Sequence, residues 1–194
     1  MHNTGHVMLI NNAYDTPHIF LIQEKNKHWG IFGGRQERTD ESLTTTAVRE
    51  LYEESCGSLK GNPDLFPYLD TYWMKNPLDG SVHQTFVTVN SRIQEADILV
   101  DAPGQDGLYG DIKQGKFFPL DLILDTIYSG KKTFIYNDEE NKFRYFFAET
   151  LKRNREISYE IFQKHNLAAM ETRHRLLNIE PVVSVKREMI SSFR

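Results

Sequence analysis

Glu50, Glu53 and Glu54 fall within five consecutive positions of the stretch GGRQERTDESLTTTAVRELYEESCG, residues 33–57. In a helix, at about 100° per residue, the three carboxylates lie within about 100° of one another and project from one side. Like charges at this spacing repel by roughly 0.2–0.5 kcal/mol per pair. A hard divalent cation, Mg²⁺ or Mn²⁺, is the ion that clustered carboxylate oxygens suit, and it would cancel that repulsion. An ordinary solvated acidic face is the alternative that these three residues alone leave open. The helix itself is expected from Ser42 to Ser55. Leu43, Ala47, Val48 and Leu51 recur there at helical spacing and offer a face for burial, with Thr39 or Asp40 as N-cap.

The residues upstream favour the metal. Glu41 is followed by seven residues and then Arg49-Glu50-Leu51-Tyr52-Glu53-Glu54, and the segment opens with Gly33, Gly34 and Glu37. This resembles the signature of the Nudix hydrolases, G-x5-E-x7-R-E-U-x-E-E-x-G-U with U a bulky aliphatic residue. The match directly covers about 25 residues. Three departures flank it. Six residues separate Gly34 from Glu41 where the pattern has five, Phe32 stands where a proline is frequent, and Gly57 comes one place late. Length changes at the ends of a helix are absorbed by loops at little cost. The carboxylate spacing is untouched by them.

The resemblance implies a Nudix-type α/β/α sandwich with a mixed β-sheet. It also implies Mg²⁺, with Mn²⁺ as a substitute, bound by Glu53 and Glu54, with Glu50 as a further ligand or as the base for an attacking water. Gly34 would lie against the metal, and Arg49 would orient the loop by pairing with an acidic neighbour such as Glu41. The implied reaction is hydrolysis of the P–O–P linkage of a nucleoside diphosphate joined to another group. The substrate is therefore a small nucleotide derivative, with Glu37, Tyr72 and Asp111 as candidate substrate contacts. Tyr72 and Trp73 occupy the zone past the motif that marks family subgroups, where stacking on a base competes with plain strand packing. The lack of a proline there speaks against ADP-ribose, and Pro77 is too distant to serve. Asp111 precedes Phe117 in an acidic Gly-rich stretch, with Asp106 and Glu95 behind it. Two other functions fit the same residues: an RNA 5′-end pyrophosphohydrolase or decapping enzyme, and a non-catalytic nucleotide-binding regulator.

The elements that must position these residues alternate in type. HVMLINN and HIFLIQEK read as strands around the turn AYDTP, and HWGIFGG reads as a strand running into a loop. DTYWMKN and VHQTFVTVN read as a hairpin, PLDLILDTI as a helix beginning with proline, and KTFIYND with KFRYFFAET as a second hairpin around EEN. One mixed α/β domain over residues 1–150 is expected, with a partly helical extension over 151–194 packed on it.

Composition agrees with a globular chain, at 39% hydrophobic and 26% charged residues of 194. No apolar run approaches the roughly 20 residues of a membrane span, so no membrane partner is expected. The N-terminal residues lack a secretory pattern and Cys56 is the only cysteine, so a cytoplasmic, reducing setting is expected. A homodimer is compatible with all of this. The net charge of −4 is uneven, because residues 151–194 carry nine Lys and Arg against five Glu. An amphipathic surface helix with a solvated basic face explains that excess more simply than contact with RNA.

Overall fold

The computed structural model describes residues 2–59, 68–75, 80–99 and 112–164. In chain order the described elements are β1 (Thr4–Asn11), β2 (His18–Glu24), β3 (His28–Gly30), β4 (Phe32–Arg35), α1 (Leu43–Glu54), β5 (Tyr68–Lys75) and β6 (Val82–Val89). A 3₁₀ turn (Glu95–Asp97) then leads to β7 (Ile112–Pro119), α2 (Leu120–Tyr128), β8 (Thr133–Tyr136), β9 (Glu139–Phe143), α3 (Tyr145–Arg153) and α4 (Arg155–Lys164).

The strands join in the order β5-β6-β1-β2-β3-β9-β8, with β4 also pairing β1 and β7 also pairing β2. β1–β6 and β3–β9 are parallel and the other pairs antiparallel, so the sheet is mixed. The central strands are apolar on both sides, as sheets covered on both faces require. Val7, Leu9, Phe20 and Ile22 enter one core with Ala47 and Leu51 of α1. Met8, Ile10, Ile19 and Leu21 enter the other, with Ile123 and Leu124 of α2, Leu151 of α3 and Phe162 of α4. Helices thus cover both faces, which is the expected α/β/α sandwich. α3 runs across position 150, and Leu151 and Phe162 are fully buried.

The hairpin expected from DTYWMKN and VHQTFVTVN is β5–β6, with Lys75 opposite Val82. HWGIFGG is two strands rather than one. Ile31 separates β3, which pairs β2 and β9, from β4, which pairs β1. The second expected hairpin is corrected. The turn is at Asn137 and Asp138, both at positive φ, and EEN lies inside β9. The aromatic run that follows is helical, because Phe147 and Leu151 are one turn apart and both buried, while Tyr145 and Phe146 face outward. β7, the IKQGKFFP segment, is a strand that the sequence reading passed over. Pro119 is the N-cap of α2 rather than its first residue. Among the described residues no helix is long and apolar enough to cross a membrane.

Candidate functional site

α1 lies on β1 and β4. Gly5 makes the contact close, because a Cβ there would meet the backbone of Leu43 and stand 2.8 Å from the Ala47 nitrogen. Ser42, not Thr39 or Asp40, caps the helix, its Oγ accepting from the Thr45 N–H at 3.1 Å. Asp40 turns inward instead. Its Oδ2 accepts from the Glu37 N–H at 2.9 Å, from Thr46 Oγ1 at 3.0 Å and from Arg49 Nη2 at 3.0 Å. The hydrogen bond from Arg49 is the main cause holding the Asp40 carboxyl below its ordinary range.

Arg49 is therefore paired with Asp40, and the exposed Glu41 is not its partner. The other nitrogens of the fork reach further. Nη2 also donates to the Arg35 carbonyl at 2.9 Å, which ties the loop to β4. Nη1 stands 2.9 Å from both Glu50 Oε1 and Glu53 Oε2, and 3.8 Å from Glu37 Oε1. Burial opposes the charge on Arg49, but the hydrogen bond to Asp40 and the carboxylates of Glu50 and Glu53 outweigh it and raise its pKa.

The three glutamates differ. Burial raises Glu50, against the pull of Arg49. Its carboxylate lies where a Cβ on Gly34 would stand, so glycine at 34 is what admits it. Glu53 is more open than Glu50, at 30% against 15% side-chain exposure. Glu54 Oε2 accepts the Gly33 N–H at 2.7 Å, and Gly33 takes φ +143°, a conformation that side chains resist. Desolvation pushes the Glu54 carboxyl up to about 8, only partly offset by that N–H and by Arg144.

Four of the expected residues, Gly34, Arg49, Glu50 and Glu53, are thus brought together, with Glu54 beside them on Gly33 and Glu37 at the exposed rim. Tyr72 stands on β5, opposite Thr85. Asp111 and Asp106 lie outside the described residues. Glu95 is used structurally, its Oε2 accepting the Phe117 N–H at 2.9 Å. Two features went unread in the sequence. One is the role of Asp40. The other is a polar chain on β1 and β6, in which Thr4 Oγ1 lies 2.8 Å from His6 Nε2 and 2.7 Å from His83 Nδ1, with Ser81 Oγ 3.1 Å from His83 Nε2. Desolvation lowers His6 to about 3, so it is neutral. Only the parallel register, Thr4 opposite His83, brings these residues together.

Carboxylate oxygens, one of them desolvated and short of positive charge, suit a hard divalent cation chemically. In the geometry shown, Arg49 Nη1 stands between Glu50 and Glu53. Among the described residues no three His, Cys, Asp or Glu side chains converge as a coordination group.

No protein-family model matches the chain, and no curated protein matches it. Solved structures do. A MutT/nudix family protein from Enterococcus faecalis aligns at TM-score 0.51 and 17% identity, over 81% of this chain and 62% of its own. The NUDIX domain of Shewanella oneidensis NrtR, complexed with ADP ribose, aligns at TM-score 0.48 and 19% identity, over 79% of this chain and 85% of its own. A bifunctional NMN adenylyltransferase/ADP ribose pyrophosphatase from Francisella tularensis, complexed with AMP and Mn ion, aligns at 0.46 and 20%, over 61% of this chain and 34% of its own. The chain spans less than two thirds of the Enterococcus protein, and the likeness establishes a shared fold. That fold is the Nudix fold.

Proposed function

We propose that this protein is a divalent-metal-dependent hydrolase that cleaves the P–O–P linkage of a nucleoside diphosphate joined to another group. The observation that carries the proposal is the pair Glu50 and Glu53 held on one guanidinium, with Glu54 anchored to the Gly33 N–H on the same helix. A structural ion pair needs one carboxylate. Three carboxylates on the last turns of one helix, packed against the two glycines of β4, are a donor set that a phosphate-bound cation could draw together.

Glu53 and Glu54 are the residues that would hold the ion, with Glu50 as a third ligand or as the base. A cation held there, Mg²⁺ or Mn²⁺, would supply charge neutralisation at the substrate's phosphates. The chain's own groups do the rest. Asp40 and the Arg35 carbonyl fix Arg49, and Arg49 fixes the carboxylates on which it lies. A water directed at phosphorus gives its proton to a carboxylate whose burial has already raised its affinity for one, and Glu50 meets that condition. The phosphate leaving from the far side carries the electron pair of the broken P–O bond. Glu37, exposed beside the guanidinium, would meet the substrate's outer groups.

The test is a nucleotide panel assayed with Mg²⁺ or Mn²⁺ and with EDTA, products identified by mass. Metal-dependent cleavage at a P–O–P linkage is expected, and Glu53→Gln should lower turnover at least about a hundredfold. Near wild-type hydrolysis by that variant would refute the assignment.

A further inference from the structure

At the β9–β8 end of the sheet, a cleft of ≈ 330 Å³ opens between the turn after α2, the β8–β9 hairpin and α3. None of its lining residues belongs to the loop or helix of the proposed metal site. Lys131, Lys132, Lys142 and Lys152 line it, all four exposed, on a protein whose net charge is −4. Its one acidic residue, Glu149, is already paired with Arg153 at 2.8 Å. Among the described residues no carboxylate pairs with any of the four lysines.

The lysines are set on fixed backbone. Gly130, at φ +77°, ends α2 in a Schellman turn, with the Lys131 N–H donating to the Thr126 carbonyl at 3.1 Å and the Gly130 N–H to Ile127 at 3.0 Å. The Phe143 N–H donates to the Lys132 carbonyl at 3.1 Å, which ties that turn to β9. Lys142 lies opposite His28 on β3 and opposite Thr133 on β8. On the wall stands Tyr145, 71% exposed. The floor is apolar, formed by Ile127 and Phe143. Unpaired like charges converging on a rigid concave surface repel one another unless an anion is present, and an exposed ring beside them offers a flat face to a base.

We propose that this cleft is a second ligand site that takes a nucleotide, its phosphates against Lys131, Lys132, Lys142 and Lys152 and its base on Tyr145. The volume is that of a small-ligand pocket, about 300–1,000 Å³, rather than of an extended groove. The nucleotide is either free or the 5′ end of an RNA strand, since both present the same phosphates and ring.

The test is calorimetric titration of the full chain with ATP in EDTA, where hydrolysis is blocked. The triple variant Lys132→Gln/Lys142→Gln/Lys152→Gln should bind ATP at least about tenfold more weakly while melting like the wild type. Tyr145→Ala should lose about fivefold or more, the effect of a stacked base, and Tyr145→Phe should retain binding. Glu53→Gln should bind as the wild type does, which separates this cleft from the metal site. A 5′-triphosphorylated 12-nucleotide RNA that matches ATP, and whose 5′-hydroxyl form binds more weakly, identifies the strand end as the source and supports the site. Three results overturn the proposal: no ATP binding, unchanged affinity in the folded triple variant, or tripolyphosphate binding as tightly as ATP with no response to Tyr145→Ala. Equally tight binding of the 5′-hydroxyl strand would also overturn it, because the ligand would then be a nucleic-acid backbone.

Discussion

At Arg49 one guanidinium closes three contacts at once: Asp40, the Arg35 carbonyl and the glutamate pair. Lysine keeps the charge but has no planar fork to span them. Arg49→Lys should therefore lose both activity and stability, the latter by roughly 1–3 kcal/mol, because the inward carboxylate of Asp40 is left under-partnered. Thermal melting checks this, and an unchanged Tm would count against the clamp. Glu54 behaves in the opposite way. Its folded value of about 8 lies above its ordinary 4.5, so its stabilising contribution is complete below about pH 4.5 and is lost as pH rises through about 8. In EDTA, Glu54→Gln should thus melt higher than the wild type at pH 8, by on the order of a few kcal/mol, with the gap narrowing towards pH 5. A gap independent of pH would show that the carboxyl is not desolvated. Both roles trace to spacing that the sequence displays, Arg49-Glu50 followed by Glu53-Glu54. Asp40 was not legible as Arg49's partner. Of the consecutive acids Asp40 and Glu41, the one that faces inward is chosen by the loop turn, in which the Asp40 N–H donates to the Glu37 carbonyl at 3.1 Å.

At the scale of elements, α1 sits where it does because β1 carries a glycine beneath it. Gly5→Ala should push the helix off the strand, since the obstructing atoms are backbone and cannot rotate away. A loss of about 1–3 kcal/mol is expected, as for other overpacked contacts, together with a fall in turnover as Glu50 leaves Gly34. Circular-dichroism melting and the panel assay measure the two effects, and a variant with wild-type values in both would refute the close packing. α1, β1, β2 and the β5–β6 hairpin were legible from period and turn residues. β9 and α3 were not, because KFRYFFAET has strong strand propensity and its helical period shows only when Phe147 and Leu151 are known to share a buried face. β7 was hidden by Gly115 and by the acidic, Gly-rich sequence before it, although its register along β2 from His18 to Gln23 is unbroken.

At the scale of the whole molecule, a bound ion should stabilise the fold by mass action. With Mg²⁺ at about one hundred times its Kd, the Tm should rise about 5–10 °C. The rise should be larger at pH 8 than at pH 5, because protons compete for Glu54, and it should vanish in Glu54→Gln. Differential scanning calorimetry with and without EDTA decides this; equal shifts in both proteins would place the ion elsewhere. The layered architecture was legible through the resemblance of the Gly33–Glu54 segment, and the runs VMLI and IFLI, apolar at every position, are what a sheet covered on both faces accommodates. The pairing order was not, because nothing local specifies that Thr4 meets His83, 79 positions along the chain. That parallel join also has a consequence for biosynthesis. β1 leaves the ribosome early, yet the strand that lies along most of its length is made only after roughly four to sixteen seconds more, at 5–20 residues per second. During that interval Val7, Met8, Leu9 and Ile10 lack the neighbouring strand on one side, and Met8 and Ile10 also lack α2, α3 and α4 over their face. A nascent chain stalled there presents a sticky, self-complementary β segment, and crowded polysomes or slow codons before β6 should favour its capture by a chaperone or by another copy of itself.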